Sequence, residues 1–142
     1  MGVITVSART AAAALAEFCA ALRWDELEDD VQARTRELVL DLVGVALAGS
    51  RQPSSPPAAE VALRLGGSGE ASLFGTRQRT SAVWAALANG TAAHAVELDD
   101  VTTESSLHPG VAVIPAEVAV TVGWPGVCGT TLGVDVAWPV DW

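Results

Sequence analysis

The sequence predicts an all-helical fold with at most one short strand or hairpin. Apolar residues recur at three- and four-residue spacings in several separate segments, and only one run reads as strand. Half of the 142 residues are hydrophobic, which excludes general disorder and provides for a packed core. The first helix is expected over residues 8 to 23, where Leu15, Phe18, Cys19 and Leu22 fall at i, i+3, i+4 and i+7 and form one stripe. The acidic run DELEDD (25 to 30) follows. It reads as a cation site or, more simply, as the start of the next helix, capped by Asp29 or Asp30, where acids suit the positive end of the dipole.

That second helix is expected over 30 to 48, carried by Val31, Thr35, Leu38, Leu42 and Val45 and ended by Gly49. Asp41 is placed on its solvent side. Residues 50 to 57 form a loop, and Ser55 with Pro56 starts a short helix that Gly66 and Gly67 terminate. The stretch GGSGEASLFG does not support a nucleotide-binding turn, because the third glycine is missing and no strand precedes it. EASLF, 70 to 74, reads instead as a short strand. Thr80 or Ser81 then caps a helix, SAVWAALAN, with Val83, Trp84 and Leu87 on one face. Asn89-Gly90 is expected to break or bend it, so that a further helical segment carries His94 to Leu98.

Charge narrows the partners. Seventeen acids stand against eight bases, for a net charge of −9, which argues against nucleic acid and anionic membrane surfaces. All eight bases are arginine, and there is no lysine. Cys19 and Cys128 lie far apart with no CxxC pattern, so a reducing compartment is the default. The run AAAALA is short and Glu17 soon interrupts it, so no secretory signal is expected. Nothing approaches the roughly 18 uninterrupted apolar residues of a membrane span. A soluble, cytoplasmic protein is expected.

Chemistry concentrates in HAVELDDVTTESSLHPG, residues 94 to 110. It holds both histidines of the chain, His94 and His108, together with Glu97, Asp99, Asp100 and Glu104. On a helix from 91, His94 and Glu97 are i and i+3 neighbours. Leu98 and Val101 are expected to anchor the segment in the core, leaving Asp99 and Asp100 at its end. Pro109 keeps His108 extended and Gly110 permits a turn. His108 and Asp100 are expected on one cleft wall, with His94 nearer the core. Three readings stay open on spacing alone. The group is a divalent cation site, although HxxE…H matches no tight ligand spacing. It is acid/base machinery projecting into a cleft. Or it is a satisfied histidine beside a solvated helix end.

The same stretch, extended to ANGTAAHAVELDDVTTESSLHPGVAVIPA (88 to 116), resembles the signature of the MmgE/PrpD family. That family includes 2-methylcitrate dehydratase, cis-aconitate decarboxylase and iminodisuccinate epimerase. Its pattern is matched by Asn89-Gly90, Ala93-His94, Glu97, Asp99-Asp100, His108-Pro109 and Pro115. Glu97 stands where several members carry aspartate. LRWDELEDDVQARTRELVLDLVGVALAGS resembles the family's second helix, and GEASLFGTRQRTSAVWAALANG the approach to the motif. The resemblance covers about residues 8 to 120 and implies part of the family's N-terminal helical domain. Residues 121 to 142, with three tryptophans, two prolines and no base, depart from it and are expected to be an aberrant, irregular tail.

The resemblance implies proton transfer on carbon next to a carboxylate in a small polycarboxylate, followed by loss of water, loss of carbon dioxide or inversion. On matching positions it implies His108 and Asp100 as catalytic residues, Glu97 and Asp99 as substrate-binding, and His94 as structural support. It implies no metal and no organic cofactor. The family's site also draws on a lysine and a second histidine beyond the matched stretch. This chain has no lysine and no histidine after His108, and four acids facing an anionic substrate repel it. The chain is therefore expected to be an N-terminal fragment of a lyase-type enzyme, inactive alone, and dimeric as family members are. The alternative is a helical interaction protein without catalysis, associating through an exposed core face.

Overall fold

A computed structural model of the chain describes residues 10–67 and 69–123. Along these residues run α1 (Ala11–Ala21), a 3-10 turn (Trp24–Glu26), α2 (Asp29–Gly49), α3 (Ser55–Leu65), β1 (Ala71–Ser72), β2 (Arg79–Thr80), α4 (Ala82–His94) and α5 (Pro109–Gly123). The fold is helical as expected. The β structure among the described residues is one antiparallel hairpin, with Ala71 opposite Thr80 and Ser72 opposite Arg79.

Helix α4 is the centre. It packs against α5, α2 and α3 and touches both strands, and its sequence is apolar on most sides, as a surrounded helix requires. Ala85, Ala88, Ala92 and Ala93 are buried, so the neighbouring backbones approach closely. Two buried groups result. Ala62, Ala71, Leu73, Ala85, Ala88 and Ala119 meet where α3, the hairpin, α4 and α5 converge. Leu42, Ala46 and Ala93 meet where α2 crosses α4.

The α2–α4 crossing depends on a missing methyl group. A Cβ on Gly49 would run into the backbone carbonyl of Ala92, so only glycine allows the contact as it stands. The Ser55 hydroxyl at the start of α3 donates to the Gly49 carbonyl at 2.7 Å. The Gly49 carbonyl also accepts from the Gln52 N–H at 2.9 Å, so the hydroxyl is its second donor and ties α3 to the end of α2.

Asn89-Gly90 does not break the helix, contrary to expectation: α4 runs unbroken from Ala82 to His94. The reason is tertiary. Asn89 is buried, its Oδ1 accepts from the Phe74 N–H at 2.8 Å, and its Nδ2 donates to the Ser72 carbonyl at 3.0 Å. The hairpin is thereby stitched to α4. Gly90 faces the Val111 carbonyl of α5, which Pro115, lacking an N–H, cannot bond in the helical pattern. Asn89→Ala removes both bonds and strands two backbone groups. At about 1–3 kcal/mol for each unsatisfied buried group, a loss of roughly 2–4 kcal/mol is expected, measurable as a shift in the urea midpoint.

Other local expectations move. Helix α1 buries none of its residues, so Leu15 and Phe18 form an uncovered stripe. The N-cap of α2 is Glu28, without a side-chain bond, while Asp29 and Asp30 lie in the first turn. Asp30 accepts from its neighbour, the Val31 N–H. Ser81 occupies the α4 N-cap without a side-chain bond. The Ala82 N–H there donates to Glu70. Asp41 is exposed as expected. Of the irregular stretch expected at 121–142, residues 121–123 belong to α5 and residues 124–142 lie outside the described residues. Among the described residues, no helix is long and apolar enough to cross a membrane.

Candidate active site

Helix α4 ends at His94, so the expected helical segment from His94 to Leu98 does not form. The Glu97 N–H returns to the His94 carbonyl at 3.2 Å, and Glu97 takes a left-handed backbone with φ +49. That turn redirects the chain. Leu98 and Val101, expected as core anchors, are exposed at 69% and 54%. Asp99 goes inward instead.

Asp99 is the hub of the site. Its side chain is fully buried, and its carboxylate lies between the two histidines. Nδ1 of His94 is 3.2 Å from both carboxylate oxygens, and Nδ1 of His108 is 3.0 Å from Oδ2. The two rings meet edge to face, centroids 4.8 Å apart at 73°. When Asp99 is ionised, both imidazoles donate their Nδ1–H to it, which leaves the Nε2 lone pairs free. The His94 side chain is 47% exposed and that of His108 25%. His94 is therefore not nearer the core, because it ends a helix at the surface.

A small clamp returns His108 to Asp99. Thr102 and Leu107 pair as an isolated antiparallel bridge, the Thr102 N–H donating to the Leu107 carbonyl at 2.8 Å. The intervening residues form an exposed turn that includes Glu104. His108 follows directly, and Pro109 starts α5.

Asp100, adjacent to Asp99, faces another way. Its Oδ1 accepts from the Gly110 N–H at 3.0 Å, meeting the positive end of α5. A Cβ on Gly110 would collide with that oxygen. Asp100 thus fixes the backbone two residues beyond His108, through its bond to Gly110. It also borders an open groove of about 510 Å³ with Leu98 and, from α2, Arg34, Glu37, Leu38, Leu40 and Asp41. One arginine there faces three carboxylates, a poor seat for a polyanion.

Of the sequence-derived residues, Asp99 and His108 come together, and His94 joins them. Asp99, expected on the substrate wall, has no exposed side-chain surface. Glu97 is exposed at the turn. For a metal, the compact grouping among the described residues is His94, Asp99 and His108, with one donor atom each all within 4.8 Å of one another. The HxxE…H set weighed from sequence is not the one that gathers.

The MmgE/PrpD N-terminal domain family matches residues 13–124. A cis-aconitate decarboxylase of Aspergillus terreus is 31% identical over 115 residues, 81% of this chain and 24% of the relative. A cis-aconitate decarboxylase-like protein, oryM, of Aspergillus oryzae is 33% identical over 104 residues, 73% of this chain and 22% of the relative. The chain spans about a quarter of the length of these curated relatives.

Proposed function

Since this chain belongs to the MmgE/PrpD family, we propose that His94, Asp99 and His108 form the acid/base wall of a lyase-type site for small polycarboxylates. The observation that carries this reading is the buried Asp99 carboxylate shared by both imidazoles. In this reading Nε2 of His108 takes or returns the proton on the carbon next to a substrate carboxylate. Asp99 fixes the tautomer and stabilises the imidazolium that forms. His94 offers a second Nε2 to the substrate. Asp100 acts as a positioning residue, holding the start of α5 and hence His108. Glu97 contributes from the rim.

Cations for the substrate carboxylates are short, with no lysine in the chain. The purified 142-residue chain is accordingly expected to show no turnover of 2-methylcitrate, cis-aconitate or iminodisuccinate in assays run with a chelator. Missing members of a catalytic group commonly cost several orders of magnitude. Supplying the remaining part of a longer family member in trans is expected to restore activity that His108→Ala removes. Full activity of such an assembly carrying His108→Ala would reject the proton-transfer role.

A second reading rests on one observation. Leu40, Leu47, Val83, Leu87, Leu98 and Val113 are all exposed, and burying large apolar side chains favours association. We propose that this surface is covered by association, as a dimer or with another chain. Sedimentation of a strictly monomeric chain at high concentration would remove this reading.

A further inference from the structure

We propose that His94, Asp99 and His108 together bind one divalent transition-metal ion, of the zinc, cobalt or nickel class. The proposal uses the side chains of the acid/base reading but does not depend on that chemistry being correct.

Three observations carry it. First, the donor set is two imidazole nitrogens and one carboxylate, the combination that transition metals take while keeping open positions. Second, the spacing is close to what an ion needs. Metal–ligand distances of ~2.1 Å put tetrahedral donor atoms roughly 3.4 Å apart. The Nδ1–carboxylate separations are 3.2 and 3.0 Å, and the whole donor set lies within 4.8 Å. The half-exposed His94 ring, at a helix end, is free to close the remaining gap. Third, charge balance favours it. The fully buried Asp99 carboxylate is hydrogen-bonded by both histidines, and a buried charge also calls for compensation by an opposite charge. A divalent cation supplies that compensation.

Binding has a defined proton bookkeeping. Each imidazole moves its proton from Nδ1 to Nε2 as Nδ1 takes the metal, and no net proton is released. The loaded site then presents two Nε2–H donors and a cation with open positions. It can hold a carboxylate but cannot accept a proton at Nε2. Metal loading therefore converts the wall from a base into an anion-binding surface.

The test is cobalt(II) and zinc(II) titration of the chain with Cys19→Ser and Cys128→Ser, which removes thiol ligands. We expect one ion per chain, with cobalt(II) d–d absorption, and loss of binding by at least about tenfold in each of His94→Ala, His108→Ala and Asp99→Asn. Circular dichroism checks the fold of each variant, and His94→Ala, at an exposed position, serves as the variant least disposed to unfold. Nitrogen-15 histidine spectra of the unaltered chain, in which zinc should shift both Nδ1 signals, provide an independent readout. Absence of binding, or binding unchanged by His94→Ala with Nδ1 signals unmoved, overturns the proposal. Neither result bears on turnover measured with a chelator, so the two readings fail separately.

Discussion

Gly49→Ala should lower the midpoint of thermal unfolding, while Gly44→Ala, on the same helix, should raise it. Alanine is favoured over glycine in a helix by about 1 kcal/mol, so propensity alone stabilises both variants. At Gly44 nothing lies within 4 Å of the new methyl group, and the gain stands. At Gly49 the methyl overlaps the Ala92 carbonyl, which is backbone inside the central helix. No rotamer relieves that overlap, so α2 must move away from α4. Overpacking typically costs 1–3 kcal/mol and more where backbone must shift, and it also disturbs the buried group of Leu42, Ala46 and Ala93. Set against the propensity gain, this leaves a net loss of about 1–2 kcal/mol and an expected fall of roughly 3–10 °C. Scanning calorimetry on the pair decides it. Equal stabilisation in both variants would mean that the crossing is looser than described.

The second large effect is expected from Asp99→Asn. An asparagine retains the shape but replaces one accepting oxygen with a donating NH₂. Two imidazoles that both donate to a carboxylate cannot both donate to an amide in the same pose. One of them must accept at Nδ1 and carry its proton at Nε2, where it is useless as a base. Nitrogen-15 spectra should show one histidine changing tautomer. In an assembly that turns over, kcat is expected to fall by about 10²–10⁴-fold, the range for losing acid/base function or its orienting carboxylate. Two unchanged Nδ1–H tautomers with an unchanged rate would remove Asp99 from the mechanism.

The helices were legible because burial on one side leaves a 3.6-residue period. Helix α2 was expected over 30 to 48 and runs Asp29–Gly49. The two-residue strands left almost no signal: β1 falls within the expected run, and Arg79–Thr80 was not anticipated. Asn89-Gly90 misled because its local turn preference is outweighed by two bonds to a hairpin that precedes it in sequence. At the site, the histidines and acids were visible as a cluster, but the roles of Asp99 and Asp100 were not. They are neighbours, and only the left-handed turn at Glu97 decides which points inward. That conformation is uncommon for a residue with a side chain, and no spacing rule announces it. One signal was available: Gly110, read only as a turn residue, also admits Asp100.

The bridge between Thr102 and Leu107 has an evolutionary consequence. It closes the base of an exposed turn, so the geometry delivered to His108 is set at the base and not at the tip. Lengthening such a loop costs little, about 0.6 kcal/mol for each doubling, and the added residues bulge into solvent. Residues 103 to 106 are thus a place where insertions and deletions can be accommodated without retuning the histidine pair. A lineage can vary what this turn presents to solvent while the buried carboxylate and its two imidazoles stay where they are.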